Sequence, residues 1–157
     1  MSSLPALTWK LLTGLLALAL LSAPAAVAQD AEITVVKIKA SGTPTGSPQI
    51  DSALADLPGI AQICIRFAKC EHEATKSKKV DWGSTTSIGS KSSRVEVTVL
   101  EPAGGGKAFK LALTSYKGET ACQKAKSPSS SRPAASVSCA ARGTDVEYLH
   151  FVMARSL

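Results

Sequence analysis

The sequence is poor in the residues that most often perform chemistry or stack on nucleic-acid bases. It has two histidines, and aromatic residues make up 4% of its 157 positions. It holds no C-x-x-C pair and no G-x-S-x-G elbow. The first absence leaves a thioredoxin-like redox site without local support. The second removes the strained turn on which many serine hydrolases carry their nucleophile. Charged residues make up 19% and hydrophobic residues 45%, which excludes a disordered acidic or basic tail. A coiled coil, a collagen-like repeat and a polytopic membrane protein are excluded on the same grounds. The length suits one domain.

The N-terminal segment is expected to be a secretory signal peptide over residues 1–28. Lys10 supplies its positive charge, and Leu11 to Ala23 forms its apolar run. Pro24 ends the run, and Ala26-Val27-Ala28 offers the small-x-small pattern of a cleavage site. The run falls well short of the ~20 residues that span a bilayer. No Cys follows for lipid attachment, and no twin-Arg pair precedes. Cleavage would leave 129 of the 157 residues, and losing Lys10 lowers the formal net charge from +6 to +5. Residues 29–157 are then expected to form a single exported β-rich domain.

Strand signals dominate that domain. Ala31 to Ala40 is rich in β-branched residues, and its alternation slips at Val35-Val36, which predicts a bulge. Arg94 to Leu100 alternates cleanly, with Val95, Val97 and Val99 on one face. Lys107 to Ser115 puts Phe109, Leu111 and Leu113 on one face. A Gly-rich stretch joins these two runs, so they predict a β-hairpin. Val146 to Met153 has apolar residues at both parities, which suits a central strand covered on both faces.

One short helix is expected over Asp51 to Leu57, with Asp51 as its cap and Ile50, Leu54 and Leu57 on one side. Pro58-Gly59 ends it or begins a second turn. Residues 60–70 fit either state: Ile63, Ile65 and Phe67 alternate, while Leu57, Ala61 and Cys64 continue a helical stripe. Ser41 to Ser47 reads as a linker, and Lys126 to Pro133 as a Ser/Pro-rich surface loop.

Cys64, Cys70, Cys122 and Cys139 form an even set in an exported chain, so two disulfides are expected. Four cysteines allow three pairings. Cys122 and Cys139 are symmetric about a tip between Ser130 and Ser131, so a hairpin there would place them face to face. Cys64 would then pair with Cys70, which needs a turn between them. A straight strand would hold them about 20 Å apart, and the pairs would have to cross. A zinc site on Cys64, Cys70 and His72 matches no standard spacing.

His72 lies between Glu71 and Glu73, as on a solvated strand or loop. His150 alternates with Tyr148 and Val152, as a half-buried, hydrogen-bonded residue would. The 20 serines permit a Ser-His-Asp triad but do not anchor one. Glu71, Glu73 and Asp81 show no pairing logic. Gly104-Gly105-Gly106-Lys107 fails the phosphate-loop pattern, because position 101 is Glu and Ala108 follows the Lys. Lys76, Lys78 and Lys79 cluster, and Lys107, Lys110, Lys117, Lys124 and Lys126 follow. Single-strand binding needs aromatic platforms among such cations. The domain offers only Phe67, Trp82, Phe109, Tyr116, Tyr148 and Phe151, several of them on core faces.

The order of features then resembles a known group. The Leu54 and Leu57 helix is followed by Phe67, Trp82-Gly83, the Val95-Glu96-Val97-Thr98 strand, the Gly104-Gly105 turn and the closing strand Val146 to Ala154. This resembles small exported proteins of unknown function from Gram-negative bacteria, myxobacteria-like genomes among them. The resemblance implies a short Asp-capped helix ahead of a compact antiparallel β-domain. It brings no catalytic residues, and the four cysteines are not part of its pattern.

The expectation is a mainly β fold, a small antiparallel sandwich or half-open barrel with one short N-terminal helix and disulfide staples. The expected role is a non-catalytic periplasmic or secreted accessory protein that acts by binding or assembly, without cofactor, metal or nucleic acid. Its contact surfaces would be exposed sheet edges and Lys-rich loops, and its partner a protein or an anionic envelope component. The rivals are a small secreted hydrolase and a structural part of a secretion or adhesion complex. A His sharing a pocket with a Ser and a carboxylate would favour the hydrolase.

Overall fold

The computed structural model describes residues 30–101, 106–140 and 145–157. The expected signal peptide, and Gly104-Gly105 of the Gly-rich turn, lie outside these. Nine strands fall among the described residues: β1 (Asp30–Ser41), β2 (Gln49–Ile50), β3 (Lys69–Asp81), β4 (Thr85–Gly89), β5 (Arg94–Leu100), β6 (Lys110–Lys117), β7 (Thr120–Lys126), β8 (Ala134–Ala140) and β9 (Val146–Ser156). A 3₁₀ turn at Ser52–Leu54 and a helix α1 at Ile60–Cys64 lie between β2 and β3.

The strands make two sheets. The first has the order β2-β3-β1-β9-β8 and curls into a half barrel; the second has the order β4-β5-β6-β7. All pairings are antiparallel except the two-residue β2–β3 contact. The expected fold class and the expected hairpin are both present, the hairpin as β5 against β6 with Val97 opposite Leu113. Val95, Val97, Val99, Leu111 and Leu113 are fully buried and face the first sheet. Each such side chain contributes roughly 1.5–3 kcal/mol by leaving water.

Strand β1 explains the slip at Val35-Val36. Ala31, Ile33 and Val35 pack against the second sheet, while Val36, Ile38 and Ala40 pack against Leu54, Ile60, Cys64 and Phe67 on the opposite face. One strand is covered on one face along its first half and on the other along its second. The pattern shifts parity because the cover changes sides, and not because β1 bulges. The bulge belongs to β3: Lys37 pairs with Ala74 and Ile38 with His72, so Glu73 is the extra residue. Strand β9, between β1 and β8, follows the same rule, with Leu149 and Phe151 in one core and Val152 and Ala154 in the other.

The expected helix over Asp51 to Leu57 is shorter than the pattern implies. Asp51 does cap it, accepting the Ala53 amide at 3.1 Å, but the 3₁₀ turn ends at Leu54. Pro58-Gly59 starts the second piece, with Gly59 in the left-handed region at φ 72°. The ambiguous stretch resolves as both: helix to Cys64, then strand from Lys69. The intervening turn brings the Cys64 and Cys70 Cα atoms to 6.2 Å, and the two are bonded. This ties α1 to the start of β3.

Cys122 and Cys139 are also bonded, with Cα atoms 5.4 Å apart. They do not face each other across a hairpin, the arrangement that the sequence suggests. Strand β7 belongs to the second sheet and β8 to the first, so the bond joins the two sheets along one side. The segment between them crosses from sheet to sheet, and Ser127 turns inward to accept the Leu111 amide at 2.8 Å. Around the bond, Gln123 Oε1 accepts the Ser138 amide at 2.8 Å, and Ser115 Oγ donates to the Ser138 carbonyl at 2.9 Å. The opposite side, between β3 and β4, has no such tie among the described residues.

Candidate functional site

On the open side a lysine and a histidine interrupt the apolar face of the first sheet. Ala74, Lys37, His150 and Val137 stand in register across β3, β1, β9 and β8. The β3 bulge adds Glu73 beside Ala74. Above this row the second sheet ends in a tight return from β4 to β5. Gly89 makes that return possible: its φ is 131°, and a Cβ there would sit 2.5 Å from the Ser93 carbonyl oxygen. The Ser90 amide donates back to the Ser93 carbonyl at 3.0 Å.

Row and turn enclose a cavity of about 350 Å³. Lys37, Glu73, Lys76 and His150 line it from the first sheet, and Ile88, Ser90 and Ser93 from the second. Val35 and Ile88 add apolar surface to it. Its size is at the small end of ligand pockets.

His150 is the unusual member. It was expected to be half-buried and hydrogen-bonded; it is 1% exposed, and neither ring nitrogen has a partner among the described residues. Its neighbours Leu149 and Phe151 pack against the helical segment, while His150 faces the other side, toward the β4–β5 turn. Burial pushes its pKa down to about 4, the Lys37 charge adds to this, and Glu73 opposes it. The ring is therefore neutral at pH 7, with one N–H to give and one lone pair to fill. Ser93 Oγ, also in the lining, is likewise buried without a partner among the described residues. Lys37 Nζ lies 3.2 Å from Glu73 Oε2 and 4.7 Å from the Tyr148 ring centre.

The other candidate residues lie elsewhere. His72 bonds Thr75 Oγ1 at 2.8 Å through Nε2, and its amide donates to Asp51 at 3.1 Å. Glu71 pairs with Lys69 at 2.7 Å, and that hydrogen bond holds its carboxyl below the usual range. Cys64 and Cys70 are bonded to each other, which withdraws them from the zinc set with His72. No group of three His, Cys, Asp or Glu suited to a metal occurs among the described residues. Lys76, Lys78 and Lys79 are exposed on β3, and only Lys76 reaches the cavity. Lys107, Lys110, Lys117, Lys124 and Lys126 are exposed at scattered positions.

Lys37 was missed as a site residue by sequence reasoning. The signal was present: Lys37 lies between Val36 and Ile38, and His150 between Leu149 and Phe151, each a polar residue inside a run that reads as covered. The chain matches no protein-family model, no curated protein and no solved structure. No helix among the described residues is long and apolar enough to cross a membrane. The two disulfides suit an oxidising compartment.

The cavity does bring together an imidazole, a carboxylate and two serines. It does not join them as a catalytic triad. Glu73 is tied to Lys37, and His150 bonds neither a serine nor a carboxylate among the described residues. A base with its pKa near 4 also takes protons poorly at neutral pH.

Proposed function

We propose that the protein is an exported, non-catalytic binding protein whose ligand, a small polar molecule, occupies the cavity of the open side. The observation that carries this reading is His150, buried at 1% exposure, lining that cavity, and with both nitrogens unpartnered among the described residues. Folded proteins bond the great majority of their buried polar atoms. A bound molecule would supply the two missing partners of the ring. Export is supported by the signal-peptide pattern and by the two disulfides. We also propose that it belongs with small exported proteins of Gram-negative bacteria, a reading supported by the hydrophobic spacing.

The test is a screen of small polar molecules by protein-observed NMR, on the wild type and on His150→Leu. Hits should move the His150 and Ser93 signals in the wild type and be lost in the variant. A screen in which no molecule moves either signal would refute the cavity as a binding site. The shared lining of His150, Glu73, Ser90 and Ser93 favours a hydrolase as the second reading. Turnover of ester, amide or glycoside substrates, lost in both His150→Ala and Ser93→Ala, would establish it instead.

A further inference from the structure

Resting on that reading of the cavity, we propose that its ligand is a small hydroxylated monocarboxylate. Its carboxylate lies toward Lys76 and Lys37 at the mouth, and its hydroxyls toward His150 and Ser93 inside. Charge is the first argument. The ionised groups of the lining are Lys37, Lys76 and Glu73, which leave one positive charge over. Lys37 is already matched by Glu73, and Lys76 has no ion-pair partner among the described residues. A monoanion completes the balance, and a dianion overshoots it.

Donor type is the second argument. Among the described residues no Arg and no helix N-terminus lines the cavity. It therefore lacks both the planar fork and the amide cradle with which proteins hold phosphate. The third argument concerns the inner end. A neutral imidazole with one donor and one acceptor, next to an unpartnered serine hydroxyl, matches a group that both donates and accepts. An alcohol does so; a methyl group or a second carboxylate does not. Val35 and Ile88 give the carbon skeleton apolar walls. The exposed Lys76 sets the charged end near water and leaves the uncharged end to the buried His150.

The experiment is a set of NMR titrations of the disulfide-bonded protein with gluconate, lactate, glucose and inorganic phosphate. Gluconate, lactate or both should move the His150 and Ser93 signals. Glucose should bind about tenfold more weakly than gluconate, because it lacks the charge. Lys76→Gln should raise the dissociation constant of the acid about fivefold to tenfold, and Lys79→Gln, which lies outside the lining, should leave it unchanged. Both lysines are exposed, so both variants keep the fold. Equal binding of glucose and gluconate would overturn the role of charge, and tighter binding of phosphate would overturn the carboxylate. If none of the four probes moves the cavity signals while other molecules of the broad screen do, the ligand class fails and the binding site stands. If neither set moves them, both fail.

Discussion

The two long sides of the sandwich are finished in opposite ways. Where β7 meets β8, a disulfide joins the sheets, and Ser115, Gln123 and Ser138 bond one another. Where β3 faces β4, two lysines, a glutamate, a histidine and two serines line a cavity, and the His150 ring and the Ser93 hydroxyl have no partners among the described residues. At the far end of that same edge Asp30 stands opposite Asp81, two carboxylates in register. One side is closed by satisfied contacts, and the other keeps polar groups unsatisfied. A protein near its stability threshold tolerates such groups where a ligand completes them.

The largest test of this contrast removes the staple. Cys122→Ala with Cys139→Ala frees a loop of sequence separation 17 and should cost about 3 kcal/mol in urea unfolding. Removing Cys64 and Cys70, at separation 6, should cost less, about 2 kcal/mol. If the second pair proves the more costly, the closed side is not the principal tie and the contrast breaks.

Acid should act on the open side. His150 has its pKa lowered from 6.5 to about 4, chiefly by burial. Lys37 on β1 adds to the shift, and Glu73 on β3 opposes it. Above pH 6.5 the ring is neutral whether folded or unfolded, and it contributes no pH dependence. Between 6.5 and 4 the unfolded chain takes up the proton and the folded chain does not. Stability therefore falls as pH drops through this window, by up to about 3 kcal/mol. Urea titrations at pH 7 and pH 4.5 should show that loss, and His150→Leu should remove most of it. An equal loss in the variant would place the acid sensitivity elsewhere.

The same residues show how far the sequence could be read. The alternation of Val95 to Val99 and of Phe109 to Leu113 states a hairpin outright, because one face is apolar and the other is not. The parity slip in β1 was visible, but its cause lay in two distant covers, the second sheet and α1. Strands β3 and β7 were hard to see because their exposed faces are largely polar. The split of β7 and β8 between sheets was not legible, since equal spacing from a tip fits both a hairpin and a crossing. His150 could be named as an imidazole but not as an orphan. Its lack of partners depends on three strands and a turn that meet only in the fold.

Replacing that orphan should strengthen the protein. His150→Leu exchanges two buried nitrogens, unpartnered among the described residues, for an apolar side chain and should raise stability at pH 7 by about 1–2 kcal/mol. It should also abolish ligand binding. A gain in stability with a loss of binding is the signature of a buried polar group kept for function. A variant that is less stable than the wild type would mean that His150 has a partner in solution, and the open side would then resemble the closed one.

The smallest effect belongs to the carboxylates at the end of the open edge. Hydrogen bonding with Asp30, and then its charge, push the Asp81 carboxyl above its ordinary range. A raised acid favours the folded state while protonated, so this contribution is present below the ordinary carboxylate pKa. It is lost as pH rises through the raised value. At pH 7 the pair is repulsive, and Asp81→Asn should move the urea midpoint slightly upward. As pH falls through the raised range Asp81 takes up its proton, the repulsion is relieved, and the two proteins should converge. Asp81 does not line the cavity, so ligand binding should be unchanged. An Asn variant that is less stable at pH 7 would show that the exposed carboxylate stabilises this end of β3. The unsatisfied groups that test the contrast would then be those of the cavity, His150 and Ser93.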